Sequence, residues 1–470
     1  VGQDDATAAA NEPPVPPALA AFMATGWADG DDPGELAPVA AWAAKRRAAL
    51  TERFPGERLV VPAGAPTSRN VDVDHRFRAD SAHVYLTGNQ ASDAVLLMDD
   101  GTATLFVRPR APRSEQEFWR DRRYGEFWAG RRPSLAETQH RLGLDCRHLD
   151  ELPAALASGP PARLLRGVDP RVDALAGTLS DAPGRDAELA AAISQLRLVK
   201  DSWEVEQLRA ACAATARGFE DCLREWPQVL AHGERWIEGT FWRRARVEGN
   251  DVGYTSIVAS GPHATTLHWI DDDGPVRPGE LLLLDMGVET RSLYTADISR
   301  TLPVSGRFTG LQRDLYTLVL RAQDAGIAAV RPGARFRAYH EAAMTVLAHG
   351  LADLGLLPVS AEQALDPESA LYRRWTLHGS GHMLGLDVHD CTTAPAAAYA
   401  DGTLEAGNVL TVEPGLYLQA DDLLVPEELR GIGIRVEDDL LVTDAGAENL
   451  SAALPREPGA VETWMAGLLR

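Results

Sequence analysis

The sequence predicts an α/β (α+β) protein of two domains, and three observations carry that prediction. The chain has 470 residues, whereas one hydrophobic core stops growing near ~250–300 residues. Both halves mix short β-rich runs with stretches of helical apolar spacing. Between them, Lys200-Asp201-Ser202-Trp203-Glu204 interrupts the helical pattern of Asp186–Leu223 and offers an Asp or Ser to cap a new helix.

Residues 1–36 are rich in Ala, Pro, Gly and Asp, which predicts a poorly ordered or loosely docked arm. A mixed α/β domain is expected over 37–198. It begins with a helix over Pro38–Arg53, followed by strands at Leu59–Val61, Val84–Gly88, Ala94–Met98 and Ala103–Val107, then helices near Leu135–Leu144 and Glu151–Ala157. The second domain, 199–470, alternates helices (Asp314–Val330, Tyr339–Gly355) with strands at Leu281–Asp285, Tyr294–Thr301, Val409–Leu418 and Ile432–Thr443.

Composition narrows the function. With 45% hydrophobic and 24% charged residues the chain is an ordinary globular one, not a disordered or fibrous one. A net charge of −22 repels phosphate backbones and anionic lipid, so no nucleic acid is expected as partner. No apolar run reaches the ~18–20 residues of a membrane span, and the start lacks the basic-then-apolar pattern of a signal peptide. A soluble, cytoplasmic protein with no membrane association is the expectation. Cys146, Cys212, Cys222 and Cys391 form no CxxC pair and read as reduced thiols, with two disulfides as the alternative. The only lysines, Lys45 and Lys200, lie in no glycine-rich or pocket-like context, which argues against Schiff-base and P-loop chemistry.

Four segments concentrate chemistry. Leu281-Leu282-Leu283-Leu284-Asp285 ends a buried strand on an acid, which is costly unless something pairs with it. Asp297 follows beyond a short connection, so a hairpin would place the two carboxylates side by side. His378, His382 and His389 share a glycine-containing stretch that neither helix nor strand packing explains. Glu413 sits in the apolar run Val409–Tyr417, just before Pro-Gly. In Gly431–Asp439, period-two alternation puts Arg435 and Glu437 on one face with Gly433. Singly, each acid reads as well as a cap, a salt bridge or an exposed strand residue. Together, four carboxylates and a histidine read as an oxygen-rich metal site suited to a harder divalent ion such as Mn²⁺, with Co²⁺, Fe²⁺ or Zn²⁺ as alternatives.

On these residues the chain resembles the clan of methionine aminopeptidase, prolidase and aminopeptidase P, whose catalytic domain has the pita-bread fold. The ligand order Asp, Asp, His, Glu, Glu is matched by Asp285, Asp297, His382, Glu413 and Glu437. Phe77-Arg78-Ala79-Asp80-Ser81-Ala82-His83-Val84-Tyr85-Leu86-Thr87-Gly88 resembles the signature of the aminopeptidase P N-terminal domain. The resemblance implies two divalent ions, one on Asp285 and one on His382 and Glu413, bridged by Asp297 and Glu437. It also implies substrate-binding and catalytic roles for His268, His378, His389 and Arg435, with Tyr417 beside them in a proline pocket. The Asp285–Asp297 interval is longer than the clan's usual hairpin, which predicts a bulge or a longer turn.

The activity so implied is metal-dependent hydrolysis of Xaa-Pro bonds, releasing the first residue of peptides with proline second, with Glu413 as general acid and base. The alternatives are a prolidase or organophosphate-hydrolysing relative, and an inactive pita-bread binding module. A homo-oligomer, dimer or tetramer, is expected from the same resemblance. The aromatic and arginine-rich run Phe118–Trp128 suits an interface or a cover for the domain's own core.

Overall fold

The computed structural model describes residues 14–28, 30–70, 73–176 and 183–469. The chain divides into two compact units, one ending at Leu196 and the other starting at Arg197.

In the first unit, β1 (Arg58–Pro62), β2 (Val95–Asp99), β3 (Thr102–Val107), β4 (Asp145–His148) and β5 (Ala162–Leu164) form a sheet in the order β4-β3-β2-β1-β5. The pairs β1–β2 and β2–β3 are antiparallel, while β1–β5 and β3–β4 are parallel. Val60, Val95, Leu97 and Phe106 from the sheet meet Leu152 and Leu156 from the helix Leu152–Ala157 in one core. Of the expected arm, residues 1–13 lie outside the described residues. The following part includes the helix Pro17–Met23, and Trp27 packs edge-on against Phe118 and Phe127 with ring centroids 5.3 and 5.5 Å away.

One expected strand is a helix. Ser81–Thr87 is helical because the Asp80 carboxylate accepts from the backbone N–H of Ala82 and His83 at one end, and left-handed Gly88 closes the other. Every residue of this helix is buried, so the apolar run shows no helical period in sequence.

In the second unit, Asp201 caps α1 (Ser202–Arg224) through a capping box with Glu204. The other long helices are α2 (Glu234–Glu248), α3 (Gly310–Ala329), α4 (Ala338–Asp353) and α5 (Pro458–Leu468). Strands β6 (Ile257–Ser260), β7 (Leu281–Met286) and β8 (Ile298–Pro303) form an antiparallel sheet in the order β8-β7-β6. A second sheet runs β9-β12-β13 from β9 (Val409–Val412), β12 (Asp438–Thr443) and β13 (Gly446–Asn449), and β10 (Gly415–Leu418) pairs with β11 (Ile432–Arg435). One large core joins Phe219, Phe241, Val319, Leu347 and Val461 of the helices to Leu282, Leu284 and Ile298 of the strands.

The expected continuous strands Val409–Leu418 and Ile432–Thr443 are each broken in two, at Glu413-Pro414 and at Val436-Glu437. Pro414 has no N–H for a ladder bond, and the halves on either side belong to different sheets. The expected strand from Tyr294 starts only at Ile298. All three irregularities put an acid, Glu413, Glu437 or Asp297, at a strand end where its carboxylate is released from the ladder. The four cysteines are buried and unbridged. No helix among the described residues is long and apolar enough to cross a membrane.

Candidate metal centre and active site

Alternation along β7 sends Leu282, Leu284 and Met286 into the large core, so Leu283 and Asp285 face the opposite side. Asp285 pairs across the sheet with Ser299, and Asp297, two residues earlier, lies on the same side as Ser299. The register holds unchanged from Met286–Ile298 to the Glu289–Thr295 bridge. The extra length of the hairpin is therefore in its turn, where Leu293 adopts φ 70° and its N–H donates to Thr290 O at 3.0 Å.

The histidine stretch runs alongside β9. Thr411 N donates to His382 O (2.9 Å), Glu413 N to Ser380 O (3.0 Å) and Leu384 N to Val409 O (3.0 Å). Gly381 permits this approach, because a Cβ there would stand 2.1 Å from Thr411 O. His382 is thereby set beside Glu413.

All five predicted ligands line one cavity of about 620 Å³, together with His268, His378, His389 and Arg435. Ligand atoms of Asp297, His382 and Glu437 lie within 4.8 Å of one another. His382 Nε2 is 3.3 Å from Asp297 Oδ2 and 3.6 Å from Glu413 Oε1. Asp285 is held differently, accepting from Tyr254 OH at 2.6 Å and from Arg435 Nη2 at 2.6 Å. Tyr417 stands behind the cavity wall formed by Arg435 and His378. It is buried on β10, where its hydroxyl bridges Arg435 Nη1 (2.9 Å) and His378 Nε2 (2.8 Å), so it orients those two groups from behind.

The electrostatics test whether these residues suit cations. Burial raises the Glu437 carboxyl well above its usual range, and Asp297, Glu413 and Asp285 push it further. Burial also raises Glu413 and Asp285. Burial opposes the charged form of Asp297 too, but the hydrogen bond and charge of His382 hold its carboxyl below the usual value. For His382, burial works against protonation, yet Asp297 and Glu413 outweigh it and lift the ring to about 9. One histidine and one arginine offset only part of the repulsion among these carboxylates, and protons relieve the rest. A divalent cation on the Asp297–His382–Glu437 group relieves it directly, and the donor set fits one.

His378 behaves oppositely. Burial and the Arg435 charge lower it to about 3, leaving a neutral ring. Its tautomer follows from its partners: Nδ1–H donates to Gly379 O at 2.8 Å, and Nε2 accepts from Tyr417 OH.

Comparison with known proteins places this geometry. Residues 206–444 match metallopeptidase family M24, and residues 43–159 match the aminopeptidase P N-terminal domain. Xaa-Pro aminopeptidase 2 of Streptomyces coelicolor is 54% identical over 459 residues, covering 95% of this chain and 96% of that one. The chain belongs to the aminopeptidase P branch of metallopeptidase family M24. Among solved structures, aminopeptidase PepP of Pseudomonas aeruginosa superposes with a TM-score of 0.82 at 30% identity, covering 92% of this chain and 99% of that one. A zinc-substituted Escherichia coli aminopeptidase P in complex with product gives 0.82 at 28% identity, covering 93% and 100%. The second unit of this M24 protein has the pita-bread fold, and the first is the aminopeptidase P N-terminal domain.

The M24 site contains residues that sequence reading passed over. Ser299 donates to Glu437 Oε2 at 2.7 Å and accepts from Arg435 Nε at 3.0 Å. Arg300, fully buried, spends all five donors on Ser299 O, Glu437 O, Leu454 O, Pro455 O and Asp438 Oδ1. Lys200, far from idle, pairs inside the protein with Asp390 at 2.8 Å, next to His389; Arg197 also pairs with Asp390. An arginine in a buried strand was the available signal for Arg300. Tyr254 had none.

Proposed function

We propose that the protein is a metal-dependent Xaa-Pro aminopeptidase, releasing the first residue of peptides whose second residue is proline. The observation that carries this reading is the convergence of Asp297, His382 and Glu437 within 4.8 Å, with Asp285 and Glu413 lining the same cavity. Its chemistry agrees with the names of the relatives. The cavity's size is right for a short peptide.

When bound, two divalent ions lower the pKa of a water and polarise the scissile carbonyl. The chain's own groups do the rest. Asp285, Asp297, His382, Glu413 and Glu437 would hold the ions. Glu413, whose carboxyl burial raises to about 8, would accept a proton from the attacking water as its oxygen bonds to the scissile carbonyl, and pass it to the departing proline nitrogen as the C–N bond breaks. A bond to proline has no N–H, so recognition must come from elsewhere. His268, His378 and His389 line the cavity to supply it, with Arg435 offering two N–H groups beyond the three engaged by Ser299, Tyr417 and Asp285. Mn²⁺ is the ion proposed, since four carboxylates and one imidazole make an oxygen-rich set.

Chelation tests the metal. Like charges ~4 Å apart repel by up to ~4 kcal/mol at an effective dielectric of 20, so exhaustive EDTA treatment is expected to abolish hydrolysis and lower the melting temperature, with Mn²⁺ restoring both. Full activity in the chelated protein would remove the assignment.

A cytoplasmic homo-oligomer completes the proposal. Phe127 and Trp128 are each 55% exposed while Phe118 is buried, so the aromatic run serves its own core in part and leaves apolar surface for a partner. Light scattering at micromolar concentration is expected to give a dimer or tetramer, and a monomer mass would refute it.

A further inference from the structure

His268 lines the active cavity, yet among the described residues its ring makes no hydrogen bond. Its position depends on the backbone of the segment between β6 and β7. One buried carboxylate gathers donors from this segment and from the end of β6, while Gln419 holds Thr265 and Asp272 accepts from Val258 N. Glu234, the first residue of α2, is fully buried and lies outside the cavity lining. Its Oε1 accepts from Ser260 N at 2.7 Å and His263 Nδ1 at 2.9 Å, and its Oε2 accepts from Gly274 N at 2.7 Å and Trp269 Nε1 at 3.0 Å. Ser260 ends β6 and Gly274 lies further along the segment, so the two bracket His263, His268 and Trp269 in the sequence. The His263 and Trp269 rings are stacked with centroids 3.8 Å apart, and Gly274 O receives the Glu234 N–H at 3.0 Å.

Four donors on two oxygens require an acceptor-only group, which an ionised carboxylate is and an amide is not. A buried carboxylate so satisfied fixes the loop in one arrangement, and catalytic side chains displaced by ~1 Å cost on the order of 10²-fold in rate. Resting on the reading that His268 contacts the peptide, we propose that Glu234 is a positioning residue for the reaction, acting through His268 and not through the metal ligands.

A double-mutant cycle on the full-length, Mn²⁺-loaded protein tests this. In Glu234→Gln the amide N–H₂ must face two N–H donors, which displaces one side of the loop. The expected loss in kcat/KM on an Xaa-Pro-Xaa tripeptide is about 10–100-fold, with metal content equal to that of the parent. In a His268→Ala background the same substitution is expected to change kcat/KM by less than about threefold, because the group it positions is gone. Trp269→Phe keeps the stacked ring and removes one bond. It is expected to give a smaller loss that also vanishes in the His268→Ala background, which keeps the test open should Glu234→Gln fold poorly. Equal losses in both backgrounds, or loss of metal in Glu234→Gln, would overturn the positioning role while leaving the peptidase reading intact. Parental activity in His268→Ala would overturn both the positioning role and the contact it serves.

Discussion

His382→Ala and Glu437→Ala are expected to reduce hydrolysis of an Xaa-Pro-Xaa tripeptide by at least about 10³-fold. Each removes a proposed ligand from the Asp297–His382–Glu437 group, whose atoms converge within 4.8 Å. Bound cations supply several kcal/mol of transition-state stabilisation, and each ~1.4 kcal/mol is tenfold in rate. Glu437→Ala also frees Ser299, whose hydroxyl donates to Glu437 Oε2 at 2.7 Å and accepts from Arg435, so Arg435 is expected to loosen as well. Metal content by mass spectrometry is expected to fall with activity in both variants. His389→Ala, a cavity residue outside the converging group, is expected to keep its metal and only slow turnover. Undiminished activity in either ligand variant would sink the site.

Asp438→Ala is expected to be among the most destabilising substitutions in the catalytic unit. Asp438 and Arg300 are both fully buried and paired at 2.8 Å. Ser451 Oγ and Gln323 Nε2 also donate to Asp438, at 2.6 and 3.0 Å. Removing one partner of such a pair leaves an uncompensated buried charge, at a cost of about 3–5 kcal/mol. That corresponds to a drop in melting temperature on the order of 10 °C for a unit of this size. The effect reaches function, because Arg300 Nη1 donates to the Glu437 carbonyl at 2.6 Å and helps hold that residue at its strand break. Calorimetry on the Mn²⁺-loaded variant checks it, and a change below ~1 kcal/mol would mean that Arg300 finds another partner.

What was legible in the sequence follows from where the physics is local. Asp285 and Leu281–Leu284 show on a strand because a short unbroken apolar run is a local mark of a strand buried on both faces. Asp201 announces its helix because a capping box spans adjacent positions. The site acids were legible as a set because each stands in an apolar run where a charge needs a partner. The breaks at Glu413-Pro414 and Val436-Glu437 were not, because propensity favours continuing both runs and only the competing sheets decide otherwise. Ser81–Thr87 was misread for the related reason that complete burial erases its periodicity. Residues that act through others, such as Tyr254 on Asp285, Arg300 on Glu437 and Glu234 on the His268 loop, depend on contacts between distant segments. No spacing rule encodes those.

Arg435 poses the question that kinetics answers most directly. It lines the cavity with Asp285, Tyr417 and Ser299 already holding three of its donors, and its remaining N–H groups suit a backbone carbonyl or a terminal carboxylate. A dipeptidase uses such a group to capture the carboxylate of proline itself, whereas an aminopeptidase leaves the chain free to continue. The decisive measurement is kcat/KM for matched Xaa-Pro-Xaa and Xaa-Pro substrates with Mn²⁺ supplied. Faster release of the first residue from the tripeptide, with no cleavage when alanine replaces proline, is the predicted result. A clear preference for the dipeptide, or indifference to proline, would contradict it.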